Sequence, residues 1–468
     1  MASSRKSKFR NLPERVADAL TPVLPAGSSI VLGLSGGVDS VVLLHLLAQL
    51  SPRYSWKLSA LHVHHGISPC ADEWAAFCRE LCARHGVPLQ IEHVNIAPLR
   101  SMGIEAAARE LRHEALARQP VDFIALAHHQ DDQAETLLLQ LLRGAGVKGM
   151  AAMPFAKGVT QHALSPLREE GVRSSPVLLR PLLDISRAEL LDYAQQHALQ
   201  WVDDESNAND GYPRNFLRHR VLPLLEERFP ACRATLARSA RHLAEAGMLL
   251  DGLAEQDAQG AYDGATLAVA RLAELDAMRA KNLLRWFLRR RGALMPETPR
   301  MEEMLRQLCV ARPDAQVCIA WGDWEMRRFR GRAYACRAQA EPAADLRVEW
   351  HGEQKLALPG GVLHFVHCSG EGLSPEKLAA APVTIRLRHG AEILRPDAAR
   401  PARSLRYLFQ EFGIPPWQRE GWPLLYCGET LAAVPGIGVE CACHAAPGEE
   451  GVKLIWVNDG DIGAMTGR

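Results

Sequence analysis

From residue 28 to about residue 146, short apolar runs alternate with longer segments whose apolar residues recur at helical spacing. Such alternation is typical of a parallel sheet covered by helices. Strands are predicted at residues 30–34, 58–64, 89–94 and 123–127. Helices are predicted at residues 38–50, 72–85, 105–117 and 132–142. The pattern therefore predicts an α/β fold, a doubly wound, Rossmann-like parallel sheet whose ligands bind at the carboxyl ends of the strands.

The pattern changes after residue 180. A helix at residues 187–197, a polar loop at 203–210 and a helix from about Arg214 are predicted to close the first domain and lead out of it. The next stretch is helical in pattern and ends in an apparent hairpin at residues 316–334. A small, mainly helical middle domain is therefore expected.

The last third of the chain contains many short strand-like runs separated by Gly and Pro turns. It follows a stretch rich in Ala, Pro and Glu at residues 338–345, which is typical of a linker. A chain of 468 residues is long enough for several domains. We predict a catalytic domain over residues 1–217, the helical domain over 218–338 and a C-terminal α+β domain over 346–468.

Composition indicates a globular protein, with 47% hydrophobic and 23% charged residues. The basic start runs into Asn11, Pro13 and Glu14, and the apolar runs are far shorter than the ~20 residues that span a bilayer, so we expect neither a secretory signal nor a membrane segment. Eleven scattered cysteines without a CxxC pair indicate reduced thiols and a cytoplasmic location.

Charge gives a mixed indication about nucleic acid. The formal net charge is zero, and neither DNA nor a membrane is an expected partner. Arginine clusters occur at residues 285–291, 327–332 and 400–406, and arginine suits the phosphates and bases of RNA. Solvated helix faces or a biased composition explain any single cluster equally well, so the pattern leaves both readings open.

A glycine turn follows the first predicted strand and precedes the first predicted helix. It consists of Ser35, Gly36, Gly37, Val38, Asp39 and Ser40. Adjacent glycines let the backbone approach an anion, and amides at a helix start point toward it. The hydroxyls add donors, and the carboxylate suits Mg²⁺. A lone Gly-Gly would more often be an ordinary capped turn, but the whole hexapeptide in this setting is more specific.

This hexapeptide resembles the PP-loop of the ATP pyrophosphatase superfamily, whose members split ATP between the α and β phosphates. The sequence contains no GxxxxGK[ST] loop, which disfavours an enzyme that hydrolyses the γ-phosphate. The resemblance implies that ATP is broken at its pyrophosphate end.

Three histidines, His62, His64 and His65, end the second predicted strand. They suggest a metal, but alternate strand residues face opposite sides and no cluster of Cys or acidic residues accompanies them. Contacts to a nucleotide, or capping of the next helix, are therefore favoured.

Glu105, Arg109 and Arg112 are spaced to share one face of one helix. An exposed ladder of ion pairs fits this spacing, and so does an arginine that stabilises charge on a phosphate. The spacing does not choose between them.

The segment from His128 to Asp132 follows the fourth strand and enters a helix. One carboxylate is enough to cap a helix, so the pair Asp131 and Asp132 fits Mg²⁺ coordination or the capture of a substrate ammonium. After this helix, Arg143 stands beside the turn Gly144–Ala145–Gly146, which is suited to approach an RNA or a nucleotide.

Longer segments are similar to the tRNA(Ile)-lysidine synthetase family. They are HVHHG at 62–66, GIEAAARELR at 103–112, AHHQDDQAETLLLQLLRGAGVKGMAAM at 127–153, RPLLDISRAEL at 180–190, WVDDESNANDGYPRNFLRHRVLPLL at 201–225 and LRYLFQEFGIPPWQREGWPLL at 405–425. The resemblance spans nearly the whole chain and implies the long, three-domain form. Ile67–Ser68 and His389–Gly390 depart from it, where the family often has Leu-Arg and a pair of glycines.

The resemblance implies a reaction in two steps on the wobble cytidine of the CAU anticodon in a minor isoleucine tRNA. ATP, with Mg²⁺, adenylylates the C2 oxygen of the base and pyrophosphate leaves. The ε-amine of free L-lysine then attacks C2 and AMP leaves, which changes decoding from AUG to AUA. Two alternatives stay open: another PP-loop enzyme that modifies tRNA, such as a tRNA thiolase, and a non-catalytic tRNA-binding module.

The resemblance also implies roles for single residues. The six residues of the glycine turn would bind ATP, with Asp39 catalytic and a Mg²⁺ ligand. It places His128, Asp131 and Asp132 beside the reacting atoms. Arg109 would stabilise the adenylylated intermediate, Glu105 would orient it, and Arg112 would bind the substrate. The lysine or cytidine end would be lined by Asp203, Asp204, Ser206, Asn207, Arg214 and Asn215.

Overall fold

The computed structural model describes residues 11–98, 103–158, 176–205, 209–312, 315–338 and 346–458. The chain divides into two compact units between Leu249 and Leu250, within one long helix.

The first unit is a sheet covered by helices on both faces. Its described strands are β1 (Ser29–Gly33), β2 (Lys57–His64), β3 (Leu89–His93), β4 (Phe123–Ala125), β5 (Ala156–Gly158) and β6 (Val177–Leu179). Its described helices are α1 (Leu12–Leu20), α2 (Val38–Tyr54), α3 (Ala71–His85), α4 (Ile104–Ala117), α5 (Gln130–Leu142), α6 (Val147–Met150), α7 (Arg187–Gln196), α8 (Pro213–Phe216), α9 (Leu222–Arg228) and the start of α10 (Cys232–Ala258).

The strands lie in the order β3-β2-β1-β4-β6-β5. The first five in this order run parallel, with Leu32 paired with Ala60 on one side and with Ala125 on the other, and β5 runs antiparallel to β6 at the edge. The chain first builds outward from β1 through β2 to β3 and then crosses to β4 on the other side. The strand order therefore reverses between β1 and β4, where such sheets open a crevice for ligands.

The side chains of β1 alternate between two cores. Ile30 and Leu32 pack with α2 in one buried cluster, whereas Val31 packs with Leu116 of α4 in another. Side chains of a strand point to opposite faces in turn, so this buried strand needs apolar residues at every position. The predicted doubly wound α/β fold is confirmed.

Several elements of the first unit were not predicted. Helix α1 was not predicted. The strands β5 and β6 were not predicted either, because a strand of three residues gives no periodic pattern. The predicted helix after Arg214 is interrupted, since residues Leu217–Val221 between α8 and α9 form a π-helical turn.

The second unit begins with a middle region of helices and a small sheet. The helices are α11 (Val269–Glu274), α12 (Ala277–Arg290) and α13 (Thr298–Val310), and the strands are β7 (Leu267–Ala268), β8 (Cys318–Trp321), β9 (Trp324–Phe329) and β10 (Arg332–Arg337). The helices confirm the predicted helical character. The predicted hairpin is in fact a meander of three strands that turns at Gly322–Asp323 and at Arg330–Gly331, and β7 extends it to the order β7-β10-β9-β8.

The rest of the second unit is α+β, as predicted. Its strands are β11 (Arg347–Glu349), β12 (Lys355–Leu358), β13 (Gly361–Ser369), β14 (Val383–Arg386), β15 (Ile393–Leu394), β16 (Arg403–Ser404), β17 (Leu424–Cys427), β18 (Thr430–Val434), β19 (Gly438–Val439) and β20 (Glu450–Asn458). Helices α14 (Pro375–Leu378) and α15 (Leu405–Glu411) accompany them. Strands pair as β11-β14-β17-β18-β19, as β12-β13-β20 and as β15-β16. Across the part of the chain that the structure describes, no helix is long and apolar enough to cross a membrane.

Helix α2 is the central support of the first unit, and its apolar face is fully buried. We expect Leu47→Ala, at a side chain with 0% exposure, to lower the free energy of unfolding of this unit by about 2–5 kcal/mol, because it removes buried methyl groups and leaves a cavity. Hydrogen exchange of peptides from residues 11–98 in increasing urea measures this change. The same substitution at Leu142, which is 74% exposed, should have almost no effect, and equal losses would contradict the assignment of α2 to the core.

Candidate active site

The glycine turn lies between β1 and α2, at the carboxyl edge of the sheet. Gly36 has a φ of +91°, and a Cβ atom there would lie 2.8 Å from Cγ2 of Val202 and 3.3 Å from Sγ of Cys78. The amide of Val202 also donates to the carbonyl of Gly36 at 3.0 Å. Only glycine fits this conformation and this space, so the segment around Val202 holds the turn in place.

The two serines of the turn organise its backbone. Ser40 is buried, and its Oγ accepts from the amide of Gly36 at 3.2 Å and donates to the carbonyl of Gly37 at 2.9 Å. Ser35 is exposed, with its Oγ 3.1 Å from that of Ser40. Gly37 is the N-cap of α2 and has no side chain to cap the helix. The amides of the first turn of α2 are therefore left for an anion.

Asp39, in the first turn of α2, faces His129, which follows β4. Its Oδ2 lies 3.5 Å from Nε2 of His129, and its buried Oδ1 has no hydrogen-bond partner among the described residues. The backbone amide of His129 donates to Oδ2 of Asp132 at 2.9 Å, in a capping box that begins α5. His129 thus links the loops that follow the two central strands.

His129 is almost completely buried, with 2% exposure. Burial lowers its pKa, but the contact with Asp39 and the charges of Asp132 and Asp131 outweigh burial, so the pKa is raised. These carboxylates therefore favour the protonated form of the ring. The sequence pattern did not single out His129, although it stands inside the segment 128–132.

Asp132 and the fully buried Glu135 receive two arginines that lie one turn apart. Arg214 donates to Oδ1 of Asp132 at 2.8 Å and to Glu135 at 2.6 Å, and Arg218 donates to the same oxygen at 3.3 Å and to Glu135 at 2.6 Å. Burial raises the pKa of Asp132, but the charges of His129 and Arg214 reverse this effect and hold it at about 2. The sequence pattern did not single out Glu135 or Arg218. Glu135 follows Asp131 and Arg218 follows Arg214, each at helical spacing, so this spacing was the signal that could have found them.

Asp131 serves different neighbours from Asp132. Its Oδ2 accepts from Arg233 of α10 at 3.0 Å, and its Oδ1 accepts from the amide of Arg187 at the start of α7, also at 3.0 Å. Both carboxylates of the predicted pair are therefore engaged by protein donors. No group of three or more His, Cys, Asp and Glu suited to a metal occurs within the described ranges.

His128 lies on the other side of the same loop, among arginines. Arg180 is buried where β6 ends, and its Nε donates to Nδ1 of His128 at 3.3 Å. Burial, the largest cause, lowers the pKa of His128 to about 3. The charge of Asp132 raises this pKa, and the charges of Arg180, Arg214 and Arg109 lower it further. Arg109 is exposed on α4 and is close enough to influence both His128 and Arg180.

The remaining residues of the predicted site are spread over α4 and the segment 203–215. Arg112 is exposed on α4, and Glu105 belongs to the same helix, although its side chain is not described. Asn215 is buried and donates to the carbonyl of Asn209 at 2.9 Å. Ser206 and Asn207 lie outside the described residues.

A cleft of about 630 Å³ opens beside this segment. It is lined by Asp203, Asp204, Glu205, Asp210, Arg187, His219 and Arg220. A second cavity, of about 520 Å³, shares Arg187 and His219 with it and reaches Asp131 and Glu135. The cavity beside the acidic residues 203–205 and 210 and the cavity at the acidic start of α5 are therefore neighbours.

Three protein-family models match the chain. A PP-loop domain matches residues 8–225, a TilS substrate binding domain matches residues 267–334, and a TilS substrate C-terminal domain matches residues 383–456. Among solved structures, the U34-tRNA thiolase NcsA from Methanococcus maripaludis, with its [4Fe-4S] cluster, is similar over 50% of this chain and 78% of its own, at 20% identity and a TM-score of 0.41. This likeness is too weak to bear on function.

Relatives named tRNA(Ile)-lysidine synthase match the chain over nearly its full length. The relative from Nitrosomonas europaea is 43% identical over 97% of this chain and 98% of its own. The relative from an Azoarcus species is 42% identical over 92% of both chains, and that from Coxiella burnetii is 37% identical over 94% of this chain and 95% of its own. The chain therefore belongs to the tRNA(Ile)-lysidine synthase family.

Proposed function

We propose that this enzyme joins free L-lysine to C2 of the wobble cytidine in the CAU anticodon of a minor isoleucine tRNA. The C2 oxygen attacks the α-phosphate of ATP and pyrophosphate leaves; the ε-amine of lysine then attacks C2, its proton is lost to solvent or a base, and AMP leaves with the oxygen. A carbonyl oxygen leaves poorly until it is phosphorylated, which is why ATP is needed. The match to lysidine synthases over the whole chain carries this proposal.

The glycine turn is the proposed site for the phosphates of ATP. Backbone amides at the start of α2 and the hydroxyl of Ser35 are proposed as the donors to the pyrophosphate group. Gly36, Gly37 and Ser40 are proposed to hold the turn in the shape that presents these donors. Val38 begins the helix and is buried beneath the turn.

Mg²⁺ fits this site through Asp39. Its buried Oδ1 lacks a hydrogen-bond partner among the described residues, and a hard carboxylate oxygen beside a phosphate site is what Mg²⁺ prefers. When bound there, Mg²⁺ would neutralise charge on the leaving pyrophosphate. Asp131 and Asp132 are proposed to act differently: they hold Arg233 and Arg214, which shape the walls of the site.

The reacting atoms are proposed to lie between the glycine turn and α4. Arg109 projects from α4 into the surroundings of His128, where an exposed guanidinium can stabilise the adenylylated intermediate. Arg112 and Glu105 stand on the same helix and are proposed to contact the nucleoside and to orient the intermediate.

The acidic cleft is the proposed entrance for lysine. Asp203 and Asp204 are exposed within it, and their charges suit an ammonium group. Arg187 and Arg220 line the same cleft and suit the carboxylate of a free amino acid. Arg214 and Asn215 are proposed to contact the lysine or the cytidine, and so are Ser206 and Asn207, which lie outside the described residues.

A tRNA thiolase is the less favoured alternative, for a chemical reason. Sulfur transfer needs a reactive thiolate, yet burial raises the pKa of Cys78, beside the glycine turn, to about 12 and that of Cys82 to about 11. Thiols of this kind stay protonated and serve packing.

The second unit is proposed to hold the tRNA outside the anticodon. Burial lowers the pKa of Arg419, and the positive charges of Arg388, Arg330 and Arg406 lower it further, so four guanidinium groups lie close together. Trp417 lies near them, with Arg327 stacked 5.1 Å from its ring centre. Grouped arginines beside an aromatic ring suit an RNA backbone. We propose the three domains at residues 1–217, 218–338 and 346–468.

A cytoplasmic site of action is proposed on the state of the cysteines. All eleven are free thiols in the structure, as expected in a reducing compartment.

The overall reaction is tested by counting products. With CAU-anticodon tRNA, ATP and labelled lysine, we expect one lysine incorporated for each AMP and each pyrophosphate released. The same tRNA with another base at the wobble position is the control and should take up no lysine. Incorporation of labelled sulfur, or AMP release without lysine transfer, would contradict the proposal.

The role of Asp39 is tested with Asp39→Asn, which keeps the shape of the side chain and removes its charge. We expect pyrophosphate release to slow by about 100-fold or more, because the carboxylate that holds Mg²⁺ is lost. Binding of tRNA should stay within about two-fold. Asp192→Asn, at an exposed position on α7, is the matched control. Undiminished turnover by Asp39→Asn would remove Asp39 from the mechanism.

The arginine group of the second unit is tested at Arg406, which is exposed. We expect Arg406→Gln to weaken tRNA binding roughly 3- to 10-fold and to lower the slope of log K against log salt by about one, as for one lost phosphate contact. Arg306→Gln, at an arginine paired with Glu303 at 2.6 Å, should leave both quantities unchanged. Equal effects of the two variants would place the tRNA elsewhere.

A further inference from the structure

Arg180 belongs to none of the proposed contacts with ATP, lysine or tRNA, yet it is buried directly beside the reacting groups. It follows β6 at the carboxyl edge of the sheet, next to the loop after β4 that carries His128. Its side chain is held from two directions, because Nη1 donates to the carbonyl of Pro154 at 2.8 Å and Nε donates to Nδ1 of His128 at 3.3 Å.

A guanidinium group has donors but no acceptor. The pKa of Arg180 is lowered by burial and by the charge of Arg109, but only to about 10, so it stays charged at neutral pH. Nδ1 of His128 must therefore offer a lone pair toward Arg180, and the single ring proton must be on Nε2. If the ring were protonated, the N–H group at Nδ1 of His128 and the N–H group at Nε of Arg180 would point at each other with no acceptor between them.

The other positive groups around His128 favour the same state. Arg109 on α4 and Arg214 on α8 add positive charge, and Asp132 on α5 is the negative group that opposes them. Asp132 is itself occupied by the backbone amide of His129 and by Arg214. Burial, together with the positive charges of Arg180, Arg214 and Arg109, outweighs its effect on His128.

We propose that Arg180 is a positioning residue that holds His128 as a neutral ring with its proton on Nε2. In this state His128 donates a hydrogen bond from Nε2 and accepts no proton. Within the proposed function, on which this consequence rests, His128 is a donor to an oxygen of the phosphate or of the cytidine. It is not the base that takes the proton from lysine.

The test begins with the full-length wild-type protein labelled with ¹⁵N-histidine. His128→Gln identifies the ring signals by their loss. Between pH 5 and pH 8 we expect an unprotonated Nδ1 and a protonated Nε2 that do not change. A proton on Nδ1, or a doubly protonated ring at pH 7, would overturn the proposal. This readout needs no turnover, so it stands whether or not lysine proves to be the substrate.

Arg180→Gln removes the charge and the donor from Nε. We expect the pKa of His128 to rise from about 3 by at least about two units toward its ordinary value. About half of the rings would then be protonated at pH 5, so pyrophosphate release should lose about half of its rate or more between pH 7.5 and pH 5, beyond any change in the wild type. Arg180→Lys keeps the charge and should restore most of the wild-type profile. An effect on folding alone would lower the rate equally at every pH.

A double variant separates the proposed link from other effects of Arg180. The double variant Arg180→Gln with His128→Gln should not show the loss of rate at low pH that Arg180→Gln shows alone, because no ring remains to be protonated. Arg53→Gln, at an exposed arginine at the far end of α2, controls for the loss of one positive charge. The role of Arg180 would be refuted if the double variant still lost rate at low pH. It would also be refuted if Arg180→Gln changed neither the ring signals of His128 nor the pH dependence of pyrophosphate release.

Discussion

A buried histidine whose pKa is raised by the carboxylates around it joins the two loops that carry the candidate site residues. His129 lies between the carboxylates of Asp39, Asp131 and Asp132, and its own amide caps α5 through Asp132. The glycine turn after β1 and the loop after β4 are thereby fixed to one another across the point where the strand order reverses. A buried charge is tolerated only when it is paired and hydrogen-bonded, so the positions of these carboxylates are strongly constrained.

The same constraint extends outward through arginines. Asp132 and Glu135 bind Arg214 and Arg218, and Asp131 binds Arg233, so α5 is tied to the helices that lead out of the sheet. Removing one partner from a buried pair leaves an uncompensated charge, which costs about 3–5 kcal/mol. The π-helical turn at Leu217–Val221 lies within this contact and carries Arg218. Charge pairing therefore shapes the wall of the second cavity, which Asp131, Glu135, Arg218 and Arg233 line.

Two adjacent histidines consequently take opposite states. His129 faces carboxylates and has a raised pKa, whereas His128 faces arginines and has a pKa of about 3. Successive residues of an extended segment point to opposite sides, so one peptide step moves the ring from a negative to a positive environment. One ring therefore faces the carboxylates beside the glycine turn, and the other faces the arginines on the opposite side of the loop.

The sequence by itself determined the architecture of the first unit and the edge of the sheet at which the candidate site residues lie. The apolar run from Ile30 to Leu32 and the Gly-Gly turn require a buried strand, a tight turn and a helix, because period and glycine geometry are local properties of the chain. They predicted the doubly wound sheet, the glycine turn and the segment 128–132 at its edge. The order of strands, the short β6 and the partners of each charge depend on residues far apart in sequence, such as Arg180 and His128 or Arg214 and Glu135. Asp131 and Asp132 look alike in the sequence, and only the tertiary structure decided that they bind different arginines, because the state of a buried charge is set by the groups that folding brings around it.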